Sequence, residues 1–308
     1  MNLFKERSYF KDFVLALLGY ILYVFFDTLN KKLTASYHVS QIIFINTFSA
    51  LLPIIIFTYY KKGWSKLKNA NLKVHFFRSG FMFLALICFI TSLKYLPLVV
   101  IYSIAFTAPL ILTIGANLFL NEKVGWRRYS AIIVGFLGVV ISLDPFNETM
   151  NKYIFLAFLP PILASSSWLI VRKYSQEESV YSFLLYGKFY MIIFSLFFVF
   201  NNFTFINSKD LLLNICSGMI WGLGLICTFY AAKNLPSSLF APTHYIQIFA
   251  AAIIGYLVFG DIPTLKNYLG NILIIGAGIF IIMRELKLSK EIVIKAGVLA
   301  TIPSKVKD

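Results

Sequence analysis

Residues 97–120 read PLVVIYSIAFTAPLILTIGANLFL, a stretch without a single charged side chain. A helix rises about 1.5 Å per residue, so this stretch extends about 36 Å and exceeds the roughly 30 Å hydrocarbon core of a bilayer. Lipid offers no water to satisfy the backbone, whereas a helix satisfies its backbone groups internally. The stretch therefore predicts a transmembrane helix.

Similar apolar stretches recur along the whole chain. The ten predicted spans are Phe13–Leu29, Val39–Tyr60, Val74–Leu93, Pro97–Leu120, Trp126–Leu143, Tyr153–Val171, Val180–Phe200, Leu211–Ala232, Ser237–Phe259 and Asn267–Met283. The fold class that follows is an all-α integral membrane protein with ten transmembrane helices. Residues 287–308 are too polar and their apolar part is too short to span, so we expect a cytoplasmic tail.

The overall composition excludes a water-soluble protein. Of the 308 residues 59% are hydrophobic and 13% are charged, against roughly a quarter charged in soluble domains. The net charge is +15, but the basic residues form short runs between apolar stretches, as at Lys61–Lys62 and Arg127–Arg128. Such runs are typical of cytoplasmic loops and predict a plasma (inner) membrane protein with both termini cytoplasmic. Nucleic-acid binding, which needs a continuous basic face, is not expected.

The chain repeats itself. Lys94-Tyr95-Leu96-Pro97 opens the fourth span, and Lys233-Asn234-Leu235-Pro236 opens the ninth, 139 residues later. The same offset relates further pairs around this unit: Glu122 and Asp261, Arg127 and Lys266, Tyr129 and Tyr268. Two repeats with five spans each, residues 1–145 and 146–286, must have opposite membrane orientations, as in secondary transporters.

Several short motifs resemble a known family. They are Arg78-Ser79-Gly80, Leu96-Pro97, Pro109, Asn121-Glu122-Lys123 and Gly135-Phe136-Leu137-Gly138-Val139. In this order, over roughly residues 10 to 285, they resemble the EamA-type transporters of the drug/metabolite transporter superfamily. The second half departs from that pattern at Asp261 and at Gly276-Ala277-Gly278.

The resemblance implies a ten-helix carrier built from two inverted five-helix repeats around a central cavity. Members of the family move amino acids, amines, nucleotide-like metabolites and drugs in either direction. The outline is also similar to the S-adenosylmethionine uptake branch.

Interrupted helices predict where the substrate site lies. Pro109, which follows Thr107, lies within the fourth span, and Pro242 lies within the ninth. Because proline removes a helical hydrogen bond, it can free a carbonyl group to line a polar cavity. His244, Tyr245 and Gln247 follow Pro242, and we expect them to line that cavity. A structural hydrogen bond, or for His244 a proton relay, is the alternative.

Charged and aromatic residues within the spans complete the candidate site. Lys188 either reaches the membrane surface or points into the cavity, where it would bind a carboxylate or phosphate. Arg78 lies nearer the cytoplasmic surface, so we expect its side chain to extend to that surface, with a role in coupling or gating as the functional alternative. Asp27 and Lys31 are four residues apart, so they can neutralise each other; the alternatives are an outer gate or a carboxylate within the membrane that binds a proton. We expect Trp168 and Trp221 to stack on a planar or cationic solute, or else to serve packing.

The sequence favours transport over catalysis. It contains no HExxH, GxSxG or nucleotide-binding GxxxxGK[ST] pattern, so no cofactor, metal or catalytic residue is expected. The predicted function is alternating-access transport of a small polar metabolite, foremost an amino acid, an amine or a related compound. An uptake carrier for S-adenosylmethionine or a nucleotide-like metabolite, and a membrane-embedded enzyme acting on a lipid-linked substrate, are alternatives. The expected partners are a small-molecule substrate and the lipid bilayer, with a homodimer left open.

Overall fold

Every regular element of the described chain is a helix. The computed structural model describes residues 3–67, 70–120, 126–143, 152–174, 177–200, 202–235, 240, 243–280 and 283. The helices are α1 (Leu3–Leu33), α2 (Val39–Tyr60), α3 (Leu72–Leu93), α4 (Leu98–Ala105), α5 (Ala108–Leu120), α6 (Trp126–Leu143), α7 (Tyr153–Ala157), α8 (Leu159–Lys173), α9 (Val180–Val199), α10 (Ser208–Asn234), α11 (Ile246–Phe259) and α12 (Leu265–Phe280), with a 3-10 turn at Gly63–Leu67. Pro242, Asn121-Glu122-Lys123 and the tail 287–308 lie outside the described residues.

The helices are long and apolar enough to cross a membrane. Within the described part of the chain, seven segments meet that requirement: Phe10–Leu33, Val39–Tyr60, Leu72–Leu93, Leu98–Phe119, Tyr153–Lys173, Val180–Val199 and Ser208–Ala232. Tyr129–Leu143, Ile246–Phe259 and Leu265–Phe280 are shorter apolar helices. Large apolar side chains such as Phe48 and Phe197 are 64% and 78% exposed, as a lipid-facing surface requires. The prediction of an all-helical membrane protein is confirmed.

The fourth and sixth predicted spans each consist of two helices. The fourth is divided at Phe106 and Thr107, between α4 and α5. The sixth is divided at Phe158, between α7 and α8, and Tyr153–Lys173 as a whole is still long and apolar enough to cross a membrane. Pro160 and Pro161 fall in the first turn of α8, where proline is tolerated because its missing N–H has no helical partner there. Hydropathy averaged over a whole span does not reveal a break of one residue in the helix.

Contacts between helix termini fall at two opposite ends of the bundle. At the first, called the Lys31 end, Lys31 bonds to Asp261, the Tyr37 hydroxyl donates to Asp210, and the Gln41 amide donates to the Thr204 carbonyl. At the second, called the Asp12 end, the contacts are Asn234 with Asp12 and Asn71 with Glu178. Helices that begin at one end finish at the other, so the chain runs back and forth across the bundle.

Small residues bring the helices of the two halves close together. A Cβ on Gly218 of α10 would lie 2.8 Å from the Asn46 Cα in α2, and one on Gly222 would lie 2.7 Å from the Ala50 carbonyl oxygen. The two glycines are four residues apart on one face of α10, which allows the two backbones to approach this closely. On another side of α10, the Tyr23 hydroxyl of α1 lies 2.7 Å from the Thr228 hydroxyl. The first helix therefore packs against a helix of the second half.

Candidate functional site

The interruption between α4 and α5 follows from Pro109. Proline has no N–H, and its ring would clash with the carbonyl of the residue four positions earlier. That residue is Ala105, where α4 ends. The Thr107 hydroxyl donates to the Ile104 carbonyl at 2.7 Å and satisfies a carbonyl at the break. Sequence reasoning placed the interruption at Pro109, and the helix breaks just before it.

A second interruption lies in the other half, where a turn at His244 and Tyr245 precedes α11. Phe106 lies against both residues of that turn. Its ring stacks on Tyr245 at 5.1 Å and meets His244 edge-on at 5.6 Å. Tyr20 of α1 stacks on His244 at 4.2 Å. The two interruptions thus contact each other, and Phe106 and Tyr245 are themselves 139 residues apart, which is the repeat offset.

A polar group adjoins this aromatic junction. Asp27 of α1 is 5% exposed and accepts a hydrogen bond from the Tyr102 hydroxyl of α4. Gln247 of α11 lies beside the same hydroxyl and is 6% exposed. A carboxylate, a phenol and an amide from three helices of the two halves therefore meet in the interior.

The predicted neutralisation of Asp27 by Lys31 is wrong. Lys31 instead donates to Asp261, with 2.8 Å between Nζ and Oδ2, and its ammonium lies 4.5 Å from the centre of the Phe259 ring. Asp261 lies two residues after the last residue of α11, so it reaches Lys31 at the common end of the bundle. The ion pair joins the first helix of the chain to the second half.

Lys188 of α9 is buried, with 4% of its surface exposed. Its ammonium lies over the Trp221 ring, 2.7 Å from the ring centre. Trp221 also stacks on Phe26 of α1, with 5.0 Å between ring centres. Among the described residues no carboxylate lies within 4.0 Å of the ammonium. The aromatic face is thus the main electrostatic partner that the described chain provides.

Arg78 of α3 reaches α9 at Gly187, the residue before this lysine, and the two cations repel each other. The Arg78 Nη1 donates to the Phe183 carbonyl at 3.0 Å and occupies the place that a Cβ on Gly187 would need, since that atom would lie only 2.7 Å away. The Nε atom is buried and has no hydrogen-bond partner in the described structure. Two cations from different helices therefore meet at α9, Lys188 buried and Arg78 half-buried.

Trp168 does not join these groups. Its side chain is 46% exposed, and it stacks on Phe229 at 5.6 Å. Trp221, by contrast, is 5% exposed. The same role was predicted for both tryptophans, but in the structure only Trp221 lies in the interior. Trp168 lies on an outward-facing side of its helix.

At the Asp12 end, Glu178 holds the start of α9 against α3. It accepts a 2.6 Å hydrogen bond from the Asn71 N–H and a 2.9 Å bond from the Ser182 hydroxyl, and it lies 3.1 Å from His75 Nε2. Burial raises the pKa of Glu178, but these hydrogen bonds together hold it below its ordinary value. Glu178 is therefore a structural anion that closes this end of the bundle.

The model of the EamA-like transporter family matches the chain twice, at residues 11–143 and 151–284. The chain belongs to the EamA-like transporter family. The resemblance inferred from the motifs is confirmed.

Relatives of this EamA-like protein are named transporters of different solutes. It is 28% identical over 261 residues to the S-adenosylmethionine uptake transporter of Rickettsia felis, covering 85% of this chain and 88% of the relative. It is 23% identical over 268 residues to the pseudopaline exporter CntI of Pseudomonas aeruginosa, covering 86% and 93%. A solved crystal structure matches with a TM-score of 0.62 at 13% identity, covering 89% of this chain and 98% of that one, which shows a common fold.

Sequence reasoning missed several residues of this EamA-like site. Tyr102, which bonds Asp27, and Phe26, which stacks on Trp221, lie in apolar stretches where aromatic side chains are common. Phe106 had a usable signal, because the repeat offset pairs it with Tyr245. Within the described residues no group of three or more His, Cys, Asp or Glu side chains is placed to hold a metal ion.

Proposed function

We propose that this EamA-like chain is a secondary transporter that moves a small polar metabolite, an amino acid, an amine or a related compound, across the plasma membrane by alternating access. The observation that carries the proposal is the contact between the two helix interruptions, where Phe106 stacks on Tyr245. In transporters built from inverted repeats, the substrate site lies where discontinuous helices meet at the repeat interface. Buried Asp27 adjoins this junction through its bond to Tyr102, and buried Lys188 is connected to the same helix α1 through Trp221 and Phe26, so both offer polar binding groups.

The proposed architecture is ten spans in two inverted repeats, residues 1–145 and 146–286. The seven long and three shorter apolar helices support this count. The family model also matches two halves whose first residues are 140 positions apart. With the Lys31 end outside, both termini are cytoplasmic, in agreement with the distribution of basic residues. Reporter enzymes fused after the successive helices test the orientation, and a C-terminal fusion active only outside the cell contradicts it.

S-adenosylmethionine is the specific candidate within this substrate class, because the relatives from Rickettsia are named uptake transporters for it. It is an amino acid that also carries a cationic sulfonium and a planar adenine. An anionic side chain, cationic side chains and aromatic faces are the groups that would recognise those parts. All three are present in the interior of the bundle, at Asp27, Lys188 and Trp221.

Counterflow in proteoliposomes tests the transport mechanism. Vesicles loaded with unlabelled S-adenosylmethionine, methionine or ornithine receive the labelled compound outside, and a carrier accumulates label transiently above equilibrium. Phe106→Ala should slow counterflow by about 2- to 10-fold because it removes the stacking contact between the interruptions. Phe48→Ala, at an exposed lipid-facing position, is the matched control and should stay near the wild-type rate. Label entry that never exceeds equilibrium for any solute contradicts alternating access.

A further inference from the structure

We propose that Arg78 and Lys188 form a subsite for the carboxylate of the transported solute. We further propose that Lys188 leaves the face of Trp221 when the carboxylate binds. This inference rests on the proposed transport function and specifies which part of the substrate one region of the site recognises.

The first argument is the unbalanced charge. Neither α3 nor α9 contains an acidic residue, and no described carboxylate lies within 4.0 Å of Lys188 or Arg78. Asp27, on the neighbouring α1, is already bonded to Tyr102. A buried cation is strongly disfavoured unless an anion or hydrogen-bond acceptors compensate it, and a second cation beside it increases the cost. The missing anion is the group that a substrate would bring.

The second argument is the placement of the guanidinium. The Phe183 carbonyl and ring hold Arg78 from one side, at 3.0 Å and 5.3 Å. Gly187 leaves the space through which the guanidinium extends towards α9. The Nε atom is buried and without a partner in the described structure. A guanidinium that is fixed in place and still has free N–H groups is well suited to bind a carboxylate through two hydrogen bonds.

The third argument is the position of the lysine ammonium. Lys188 lies over Trp221 at 2.7 Å from the ring centre, so the ring face acts as a substitute for an anion. A carboxylate offers a stronger partner than a ring face. Movement of the flexible lysine side chain towards it would uncover part of Trp221. The freed face would then be available to a planar or cationic part of the same solute.

Matched ligands with and without a carboxylate test the inference. The probes are S-adenosylmethionine against its decarboxylated form, and ornithine against putrescine, with affinity measured on the purified full-length protein. We expect the wild type to prefer the carboxylated member by about 10- to 100-fold. In Lys188→Met, and in Arg78→Gln, this preference should be lost while the affinity for the decarboxylated member stays unchanged.

The Tm of Lys188→Met and two further variants, Gly187→Ala and Gly80→Ala, separate an effect on binding from an effect on folding. Lys188→Met removes a buried unpaired charge, so its Tm without ligand should be equal to or above that of the wild type. Gly187→Ala displaces Arg78 without removing any charge and should reduce the preference. Gly80→Ala is the matched control, because its Cβ would meet Phe194 at an ordinary 3.8 Å. A lower Tm for Lys188→Met indicates a structural role and overturns the inference.

Trp221 gives an independent spectroscopic readout. Replacing Trp64, Trp126 and Trp168 with Phe leaves it as the only tryptophan. Carboxylated ligands should change its fluorescence by displacing the lysine, and in Lys188→Met the ligand-free spectrum should already be altered. The subsite is overturned if a variant loses affinity equally for the carboxylated and the decarboxylated ligand of a pair. It is also overturned if the wild-type protein binds neither ligand. The carrier proposal itself fails only if counterflow is absent for every solute, so the two failures are distinguishable.

Discussion

Breaking the ion pair at the Lys31 end should weaken the connection between the two halves. Lys31 Nζ and Asp261 Oδ2 are 2.8 Å apart, and the two side chains are 13% and 24% exposed. At that distance the Coulomb energy is about 1.5 kcal/mol in water and about 6 kcal/mol at an effective dielectric constant near 20. Desolvation offsets much of the larger value, so we expect a net coupling of about 1–2 kcal/mol.

A double-mutant cycle measures this coupling. Lys31→Met, Asp261→Asn and the double variant are unfolded in detergent, and the free energies of unfolding are compared with the wild type. The cycle isolates the pair because each single variant removes the same interaction. The variant with exchanged charges, Lys31→Asp with Asp261→Lys, should recover part of the lost stability. Lys32→Met is the matched control, since Lys32 is the exposed neighbour on the same helix.

The pair should also influence transport, because it joins α1 to the second half at one end only. A loss of 1.4 kcal/mol changes a conformational equilibrium by about tenfold. We therefore expect the single variants to change the ratio of inward to outward transport rates by about 5- to 30-fold. A coupling below about 0.3 kcal/mol, together with unchanged transport rates, would refute the assignment of this pair as a connection between the halves.

Two further perturbations test other parts of the structure. The pKa of Glu178 is lowered below its ordinary 4.5, so the stability from its ionised form is complete above that value and is lost as the pH falls below it. Tm measured from pH 7 to 3.5 should therefore fall less steeply in Glu178→Gln, and identical slopes would contradict the role of this carboxylate. In Gly278→Ala the new Cβ would overlap the Tyr245 hydroxyl, so we expect a loss of about 1–3 kcal/mol in stability. Gly276→Ala, with no atom within 4 Å of its Cβ, should stay within about 0.5 kcal/mol of the wild type, and equal losses in both variants would count against that overlap.

Local sequence predicted the features that depend on local physics. Long apolar stretches correspond to helices because lipid leaves the backbone no other way to satisfy its hydrogen bonds. The helix break at Pro109 was also predictable, because proline acts locally: its ring clashes with the carbonyl of Ala105, four residues earlier in the chain. For Lys188 the sequence left two places open, the membrane surface and the interior, and its burial decides for the interior.

The ion-pair and hydrogen-bond partners of buried side chains were not predictable from local sequence. Lys31 has Asp27 one helical turn away, yet it bonds to Asp261, which is 230 residues distant in the chain. Helical spacing makes the local pair available, but the packing of α4 gives Asp27 to Tyr102 instead. Only the three-dimensional arrangement of the helices decides between these partners.

The contact between α1 and α10 has a consequence for biosynthesis. Gly19 and Tyr23 lie against Thr228, and 205 residues separate the Tyr23 and Thr228 hydroxyls in the chain. At roughly 5–20 residues per second, the ribosome needs about 10–40 s to make the intervening segment. During that time the first helix is in the membrane while this face is without its native partner. The nascent chain must therefore either be sheltered by the insertion machinery or tolerate a polar tyrosine facing lipid until its second half arrives.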